Sequence, residues 1–446
     1  MLIPKKIKLS PVQVIAMGFA AIIVLGALLL MLPIANRNGH SIPFLNALFT
    51  ATSATCVTGL VVYDTWTQFT GFGQAVILLL IQIGGLGFMN VTTFFFFVMR
   101  KRIGLWEREL LTESVNAMHI GGIVKLTRRI LFGTLAFESC GALLLMTRFI
   151  PAFGVSKGIW YGVFHAVSAF CNAGFDLLGC IEPYSSLMHF AGDPVVNLTI
   201  MGLIIIGGIG FIVWSDIADK GFHFKKYALH TKVMLITTAG LIVVGALLLL
   251  WTERNGVFAD MPWPEKILAA LFQAVTPRTA GFNTVDNAAL SDSGTLLTIL
   301  LMFVGAGPGS TGGGIKVTTA AVVAVTLIGY LKGHESVDIS GRRIEADAVR
   351  RAFCTMVFYF ILAATGALIM IMCQPLPLKD TLFEAFSAFG TVGLSTGITR
   401  SLTVIPKLVL ILLMYSGRIG SLTVILSISR KRVKATLNPI GKIMIG

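Results

Sequence analysis

Apolar residues in this chain come in long runs rather than in strict alternation. Eight runs are long enough to cross about 30 Å of hydrocarbon, which takes roughly 20 residues of α-helix. They lie near residues 12–32, 73–99, 129–150, 194–215, 231–251, 294–330, 351–373 and 404–428. Between the members of each successive pair lies a shorter apolar segment, near 44–56, 159–171, 264–278 and 379–390. At 12 to 15 residues these segments are too short to span and are expected to be re-entrant or interfacial.

Composition sharpens that picture. Of 446 residues, 55% are apolar and 13% charged, against roughly 25% charged in a soluble domain. The solvent for most of the chain is lipid. The net charge of +14 does not indicate nucleic acid, because the basic residues sit in short clusters between apolar runs. Twenty-four of them fall in the amino terminus, in the loops 100–129, 219–232 and 332–351, and in the carboxyl tail; nine fall in the opposite set of loops. The positive-inside rule then makes both termini cytoplasmic and brings all four short segments in from outside. The first run is flanked by Lys5, Lys6 and Lys8 but is too long for a signal peptide and reads as a span. The six cysteines form no CxxC pair and the histidines no HExxH, which argues against a disulfide framework or a zinc enzyme.

Internal repetition decides the expected fold. Each short segment carries Phe-x-Ala-x-Ser/Thr: Phe49 to Ser53, Phe164 to Ser168, Phe272 to Thr276 and Phe383 to Ser387. A glycine with a large apolar neighbour follows each: Gly59, Gly174, Gly281 and Gly393. From Phe to Gly the gap is ten residues in three copies and nine in the third. The second long run of each pair echoes too, at Gly84, Gly207, Gly305 and Gly417. The expected fold is an all-α membrane protein with eight transmembrane helices, in four pseudo-symmetric span–pore loop–span repeats around one pore: residues 1–100, 101–218, 219–332 and 333–446.

Non-helical backbone inside a membrane is tolerated where protein buries it or where it lines a water-filled cavity. Four re-entrant helices aiming their carboxyl ends at one cavity favour a cation there. Before the glycines stand Val57-Thr58, Asn172-Ala173, Thr279-Ala280 and Thr391-Val392. Glycine lets the backbone turn its carbonyls inward, and rings of carbonyl oxygens replace a potassium ion's hydration shell. Thr391-Val392-Gly393 equals the start of the potassium-channel signature Thr-Val-Gly-Tyr-Gly. Because Leu or Phe follows each glycine directly, the expected filter is shorter and less discriminating than a channel's.

On these motifs, and over essentially its whole length, the chain resembles the Trk/Ktr/HKT superfamily, most of all the membrane subunit of bacterial Ktr potassium-uptake systems. The resemblance implies that Gly59, Gly174, Gly281 and Gly393 set potassium selectivity. It also implies a homodimer docked on a cytosolic ring of regulator-of-conductance subunits that bind nucleotide, with the three basic loops as docking surface and the carboxyl tail in the dimer. Uptake at the plasma membrane is the expected function, with potassium held by filter carbonyls alone, sodium left open as a coupled ion, and no organic cofactor or catalytic residue in this chain.

Two features bear on gating. The run 294–330 is interrupted by Gly305, Gly307, Gly309, Gly312, Gly313 and Gly314 with Pro308 among them, which no continuous helix accommodates. The embedded Gly-x-Gly-x-x-Gly lacks the strand and βαβ unit of a dinucleotide site, and Ile315 before Lys316 breaks any Walker loop. A flexible loop across the pore below the filter is the expected role, and the resemblance implies the same. Arg418 stands where the other copies carry Gly85, Gly208 and Ala306. A mid-membrane guanidinium is a functional candidate by default. It either pairs with a carboxylate such as Glu138 or places its charge beside the path under the filter as a barrier to cations. Smaller expectations are a Glu384–Arg278 pair, either cation attraction or plain solvation of a loop carboxylate for Asp64 and Asp286, and lipid or helix packing for Phe94 to Phe97. Rival functions are the potassium-binding subunit of an ATP-driven pump and a less selective potassium/sodium transporter.

Overall fold

The computed structural model describes residues 10–87, 104–114, 122–334 and 336–420. Phe94 to Phe97, the basic clusters at 5–8, 100–102 and 430–432, and the carboxyl tail lie outside the described residues.

The architecture is predominantly helical. Among the described residues, four helices have the length and apolar composition to cross a membrane: α1 (Pro11–Met31), α6 (Ile123–Phe153), α10 (Leu229–Thr252) and α14 (Ala346–Cys373). α1 starts at a capping box, in which Ser10 Oγ accepts from Gln13 N and Gln13 Oε1 accepts from Ser10 N, with Pro11 at the first turn. Only about a third or less of the most apolar window of each long helix is buried. Leu25, Leu143, Leu247 and Leu368 are exposed on them, as befits faces solvated by lipid.

Each long helix packs on a shorter one: α2 (Phe44–Thr55), α7 (Val155–Phe170), α11 (Trp263–Val275) and α15 (Leu378–Gly390). These coincide with the four short segments, and their Phe49, Phe164, Phe272 and Phe383 are fully buried. α3 (Thr65–Gln68) follows the first of them, capped by Asp64.

The second long runs behave otherwise than their hydropathy suggests. Of the run 73–99, the described part forms α4 (Gly71–Leu86), which ends at Gly87 with φ 81°; residues 88–99 lie outside the described residues, and α5 (Leu105–Ser114) follows later. The run 194–215 becomes α8 (Pro194–Gly208) and α9 (Phe211–Lys220), which meet at a 94° bend. The run 294–330 splits into α12 (Asp292–Phe303) and α13 (Val317–Leu331) around the loop 304–316. α16 (Val404–Ile419) ends at Gly420 with φ 90°. Hydropathy does not fall at a glycine, but the helical ladder does, since positive φ lies outside the helix basin.

Packing closes a ring. α4 lies against α7, α8 against α11, α12 against α15, and α16 returns to α2. That last junction is tied by Lys407 Nζ donating to Asn46 Oδ1 at 3.0 Å, while Tyr415 Oη donates to Ala16 O of α1 at 2.7 Å. A two-residue hairpin, β1 (Asp338–Ile339) and β2 (Arg342–Arg343), is the only sheet among the described residues.

Candidate functional site: four glycine loops and the cavities above and below

Each short helix delivers its carboxyl end to a loop of the same backbone shape. Val57, Asn172, Thr279 and Thr391 take left-handed φ of 52°, 57°, 73° and 52°. Two residues later Gly59, Gly174, Gly281 and Gly393 take φ of 95°, 69°, 81° and 89°. A non-glycine residue in this region costs about 1–3 kcal/mol and persists where its surroundings over-determine it.

The surroundings are identifiable. Thr58 N donates to Ser53 O, Ala173 N to Ser168 O and Val392 N to Ser387 O, each at 2.8 Å and five residues back. In the third loop, which is one residue shorter, Ala280 N donates to Thr276 O only four residues back, at 2.9 Å. The missing residue is thus absorbed before Thr279, and the conformation from there onward matches the other three. The hydroxyl of the Phe-x-Ala-x-Ser/Thr motif finishes the tie. Ser53 Oγ and Ser387 Oγ accept from Gly59 N and Gly393 N at 3.0 and 3.1 Å. Ser168 and Thr276 instead donate to Phe175 O and Phe282 O, at 2.7 and 2.5 Å.

The four glycines meet in a closed circuit. A Cβ placed on Gly59 would come within 2.6 Å of Ala173 O, on Gly174 of Ala280 O, on Gly281 of Val392 O, and on Gly393 of Thr58 O. Every glycine therefore abuts the carbonyl preceding the next glycine, and no side chain fits at any of the four. The Asn172 amide pairs with Thr279 Oγ1 at 3.0 Å behind this circuit.

In three of the four segments the residue after the motif Phe anchors the outer loop, whereas Thr50 donates to Asn46 O of its own helix. His165 Nε2 accepts from Leu177 N, Gln273 Nε2 donates to Asn287 Oδ1 at 3.0 Å, and Glu384 accepts from Ser395 and Thr399. Glu384 does not pair with Arg278, as the sequence suggested. Buried Arg278 donates to Thr238 O and Thr238 Oγ1 at 3.2 and 3.3 Å, hooking the third loop to α10.

Above the circuit lies a cavity of about 280 Å³, floored by the four glycines and walled by Asp64, Asp176, Asp286 and Arg400 among others. Asp64 is no solvated loop carboxylate: it accepts from Thr67 N at 2.8 Å and Tyr184 N at 3.1 Å. Burial, with the neighbouring charge of Asp64 adding to it, pushes the Asp176 carboxyl up to about 7. The sequence did not single out Asp176; its place two residues after Gly174 was the available signal. Asp286 caps a short turn and stays exposed.

Below the circuit lies a second cavity, about 320 Å³, lined by Lys316 and Arg418 and by the glycines of the loop 304–316. That loop is seated on three sides. Gly307 N donates to Gly208 O at 2.8 Å, Gly314 N to Gly417 O at 3.2 Å, and Gly313 N to Thr391 Oγ1 at 3.0 Å. Gly305 N donates to Ile315 O at 2.9 Å, closing the loop at its neck. Lys316 Nζ donates to Gly312 O at 2.9 Å, folding the loop on itself. Gly309 and Gly314 have positive φ, and Gly312 packs against Thr279. Arg418 closes the assembly: its guanidinium donates to Thr311 O of the loop and to Gly84 O and Gly85 O at the end of α4. It has no contact with Glu138, which accepts from Gln82 Nε2 at 3.2 Å. The expected carboxylate partner is thus replaced by three backbone carbonyls.

The second motif also has a structural account in three of the four copies, Gly305 instead meeting Gly313 O of its own loop. A Cβ on Gly84, Gly207 or Gly417 would collide with the carbonyl of Thr55, Phe170 or Phe389, at the ends of α2, α7 and α15. Glycine there lets the second helix close on the short one.

Residues 9–435 match the family model described as TrkH, cation transport protein. The chain is 42% identical to the potassium/sodium uptake protein NtpJ of Enterococcus hirae, covering 98% of each chain. It is also 42% identical to Ktr system potassium uptake protein B of Bacillus subtilis, over 99% of this chain and 98% of that one. The corresponding Vibrio alginolyticus protein is 36% identical over 97% and 94%. Among solved structures, the potassium transporter TrkH of Vibrio parahaemolyticus shares the fold with a TM-score of 0.74 at 19% identity, over 96% of this chain and 87% of that one.

Proposed function

Because the chain belongs to the TrkH family of cation transport proteins, a multi-pass family of the cell membrane, we propose that it carries potassium inward through the circuit of four glycine loops. The observation that carries this reading is the contact of each loop glycine with the carbonyl before the next one. Backbone oxygens from four loops, held by hydroxyl and amide ties, replace the water of a dehydrated monovalent cation without a carboxylate that would trap it. The single glycine per loop gives a short filter and modest discrimination.

The outer cavity receives the ion, and the inner loop with Arg418 and Lys316 is the barrier beneath the filter. Two cations there oppose a permeating cation directly. The guanidinium also latches the loop to α4, so opening requires exchanging its carbonyl partners for water. Transport is accordingly slower than through an open channel. In this reading each second run completes a crossing, giving eight spans in four repeats with both termini cytoplasmic.

Two relatives are named as parts of a Ktr system, which supports control by a separate cytosolic nucleotide-binding ring docked on the loops 100–129, 219–232 and 332–351. A homodimer and sodium dependence complete the proposal. A second reading, less selective potassium/sodium transport, draws on the Enterococcus relative's name.

Rubidium uptake and growth rescue in a host without potassium transporters test the proposal. Gly281→Ser and Gly393→Ser should lower potassium over sodium preference while protein still reaches the membrane. Unchanged ion competition in both variants removes the filter assignment.

A further inference from the structure

The four loops are alike in backbone but not in charge. The residue before each left-handed position is Cys56, Cys171, Arg278 or Gly390. Three of these are small and uncharged, and the third quadrant alone carries a formal charge there. Arg278 stands just beyond the carboxyl end of α11, its N–H donating to Val275 O of the last turn at 3.1 Å.

The surroundings leave that charge bare. A guanidinium is not deprotonated in proteins, and Arg278 is only 6% exposed. Its partners on α10, Thr238 O and Thr238 Oγ1, are both neutral. Among the described residues it makes no ion pair. Glu384 is held by Ser395 and Thr399, and Glu138 by Gln82. The void beside Arg278, lined by Ile204, Ile205, Gly208 and Val275, measures about 10 Å³, room for about one water. A neutral amide would hook the loop to α10 as well, so what the guanidinium adds is charge.

α2, α7, α11 and α15 each turn the negative end of a helix dipole, worth about half an elementary charge, toward the glycine circuit. A cation at a helix carboxyl end offsets that partial charge, and in apolar surroundings its field is little screened. We infer that Arg278 cancels the third quadrant's share of the field that holds the ion, so that the filter binds its cation with the dipoles of three helices rather than four. The side chain reaches back to α10 rather than into the circuit, and its role is electrostatic, not ligating. Conduction needs a site weak enough for the ion to leave. Arg278 supplies that weakness by lowering affinity and speeding release toward the inner cavity. The inference rests on the reading of the four loops as a potassium filter.

Affinity can be read without transport, from the rise in melting temperature of the purified full-length protein with potassium concentration. The rubidium concentration that gives half-maximal uptake provides a second constant. Arg278→Gln keeps hydrogen-bond donors but removes the charge; it should lower both constants about three- to tenfold and reduce the maximal rate. Arg278→Lys, which keeps the charge without the planar fork, should rescue both constants. Thr238→Asp neutralises the same charge with the guanidinium in place, and should tighten binding even if Arg278→Gln fails to fold. Weaker or unchanged binding in Arg278→Gln and Thr238→Asp overturns the inference. So does the opposite grouping, with Arg278→Gln like wild type and Arg278→Lys impaired, which would make Arg278 a hook alone. Gly281→Ser separates this outcome from failure of the filter reading. If it shifts potassium over sodium preference while the Arg278 and Thr238 variants leave affinity alone, the filter stands and the charge role falls. If no variant alters binding or preference, both readings fail.

Discussion

Gly393 has no room for a side chain: a Cβ would collide with Thr58 O, and its φ of 89° lies where other residues pay about 1–2 kcal/mol. The hydroxyl that holds it is as specific. Ser387→Ala would leave the buried Gly393 N–H unpaired, at a cost of about 1–3 kcal/mol. We expect a lower melting temperature and weaker rubidium-over-sodium selectivity, with Ser387→Thr restoring both. The glycines and this hydroxyl were legible in the sequence because repetition at fixed spacing marks them. The left-handed residues before them were not. Val57, Asn172 and the two threonines Thr279 and Thr391 share no common side-chain chemistry as a set, only a backbone shape imposed by hydrogen bonds from the residues that follow. Arg418 was legible as a charge in an apolar run, but its acceptors were not, because carbonyl groups leave no mark in a sequence.

At the scale of elements, the four first spans and four short helices could be read directly from run length. The bend in the second run of the second segment could not, whereas the glycine-rich loop of the third could. α8 and α9 form one uninterrupted apolar run, yet Gly210, with φ 97°, turns the chain through a right angle. The reason is tertiary: a Cβ there would press on Pro308 O, so the bend and the inner loop fit only with each other. Deleting residues 306–313 removes the loop but not its flanking helices. We expect rubidium flux to rise several-fold and regulation to be blunted, with a folded but inactive protein counting against the barrier. Arg418→Gln should raise flux in the same direction. Arg418→Lys should fall between, since an ammonium cannot span Thr311 O, Gly84 O and Gly85 O as a planar guanidinium does.

For the whole molecule, the outer cavity sets the field that an arriving ion meets. Asp176 has its carboxyl raised to about 7 by burial and by Asp64. The carboxyl is therefore neutral below that pH and charged above it. If the carboxylate draws cations to the filter, uptake at low external potassium rises as external pH rises through 7. Asp176→Asn should flatten the profile, and a profile unchanged in that variant would place the titration elsewhere. The same burial makes the ionised form unfavourable to the fold, so stability contributed by this group declines over the interval from the ordinary carboxylate range up to about 7. If the proposed nucleotide-binding ring docks on the inner face, replacing Lys225 and Lys226 by Glu should weaken co-purification with it while leaving ion preference unchanged.

The four loops form a circuit of unlike members written in one chain. In a ring of identical subunits every substitution appears four times, and the pore takes each change at full strength. Here the left-handed position is already valine, asparagine and, twice, threonine, and a mutation alters one quadrant alone. Among the described residues a loop like 304–316 interrupts one quadrant alone, and in the proposed reading four copies would have crowded one another out of the space beneath the filter. Selection can therefore adjust ion preference and closure in quarter steps, on separate faces of the same passage.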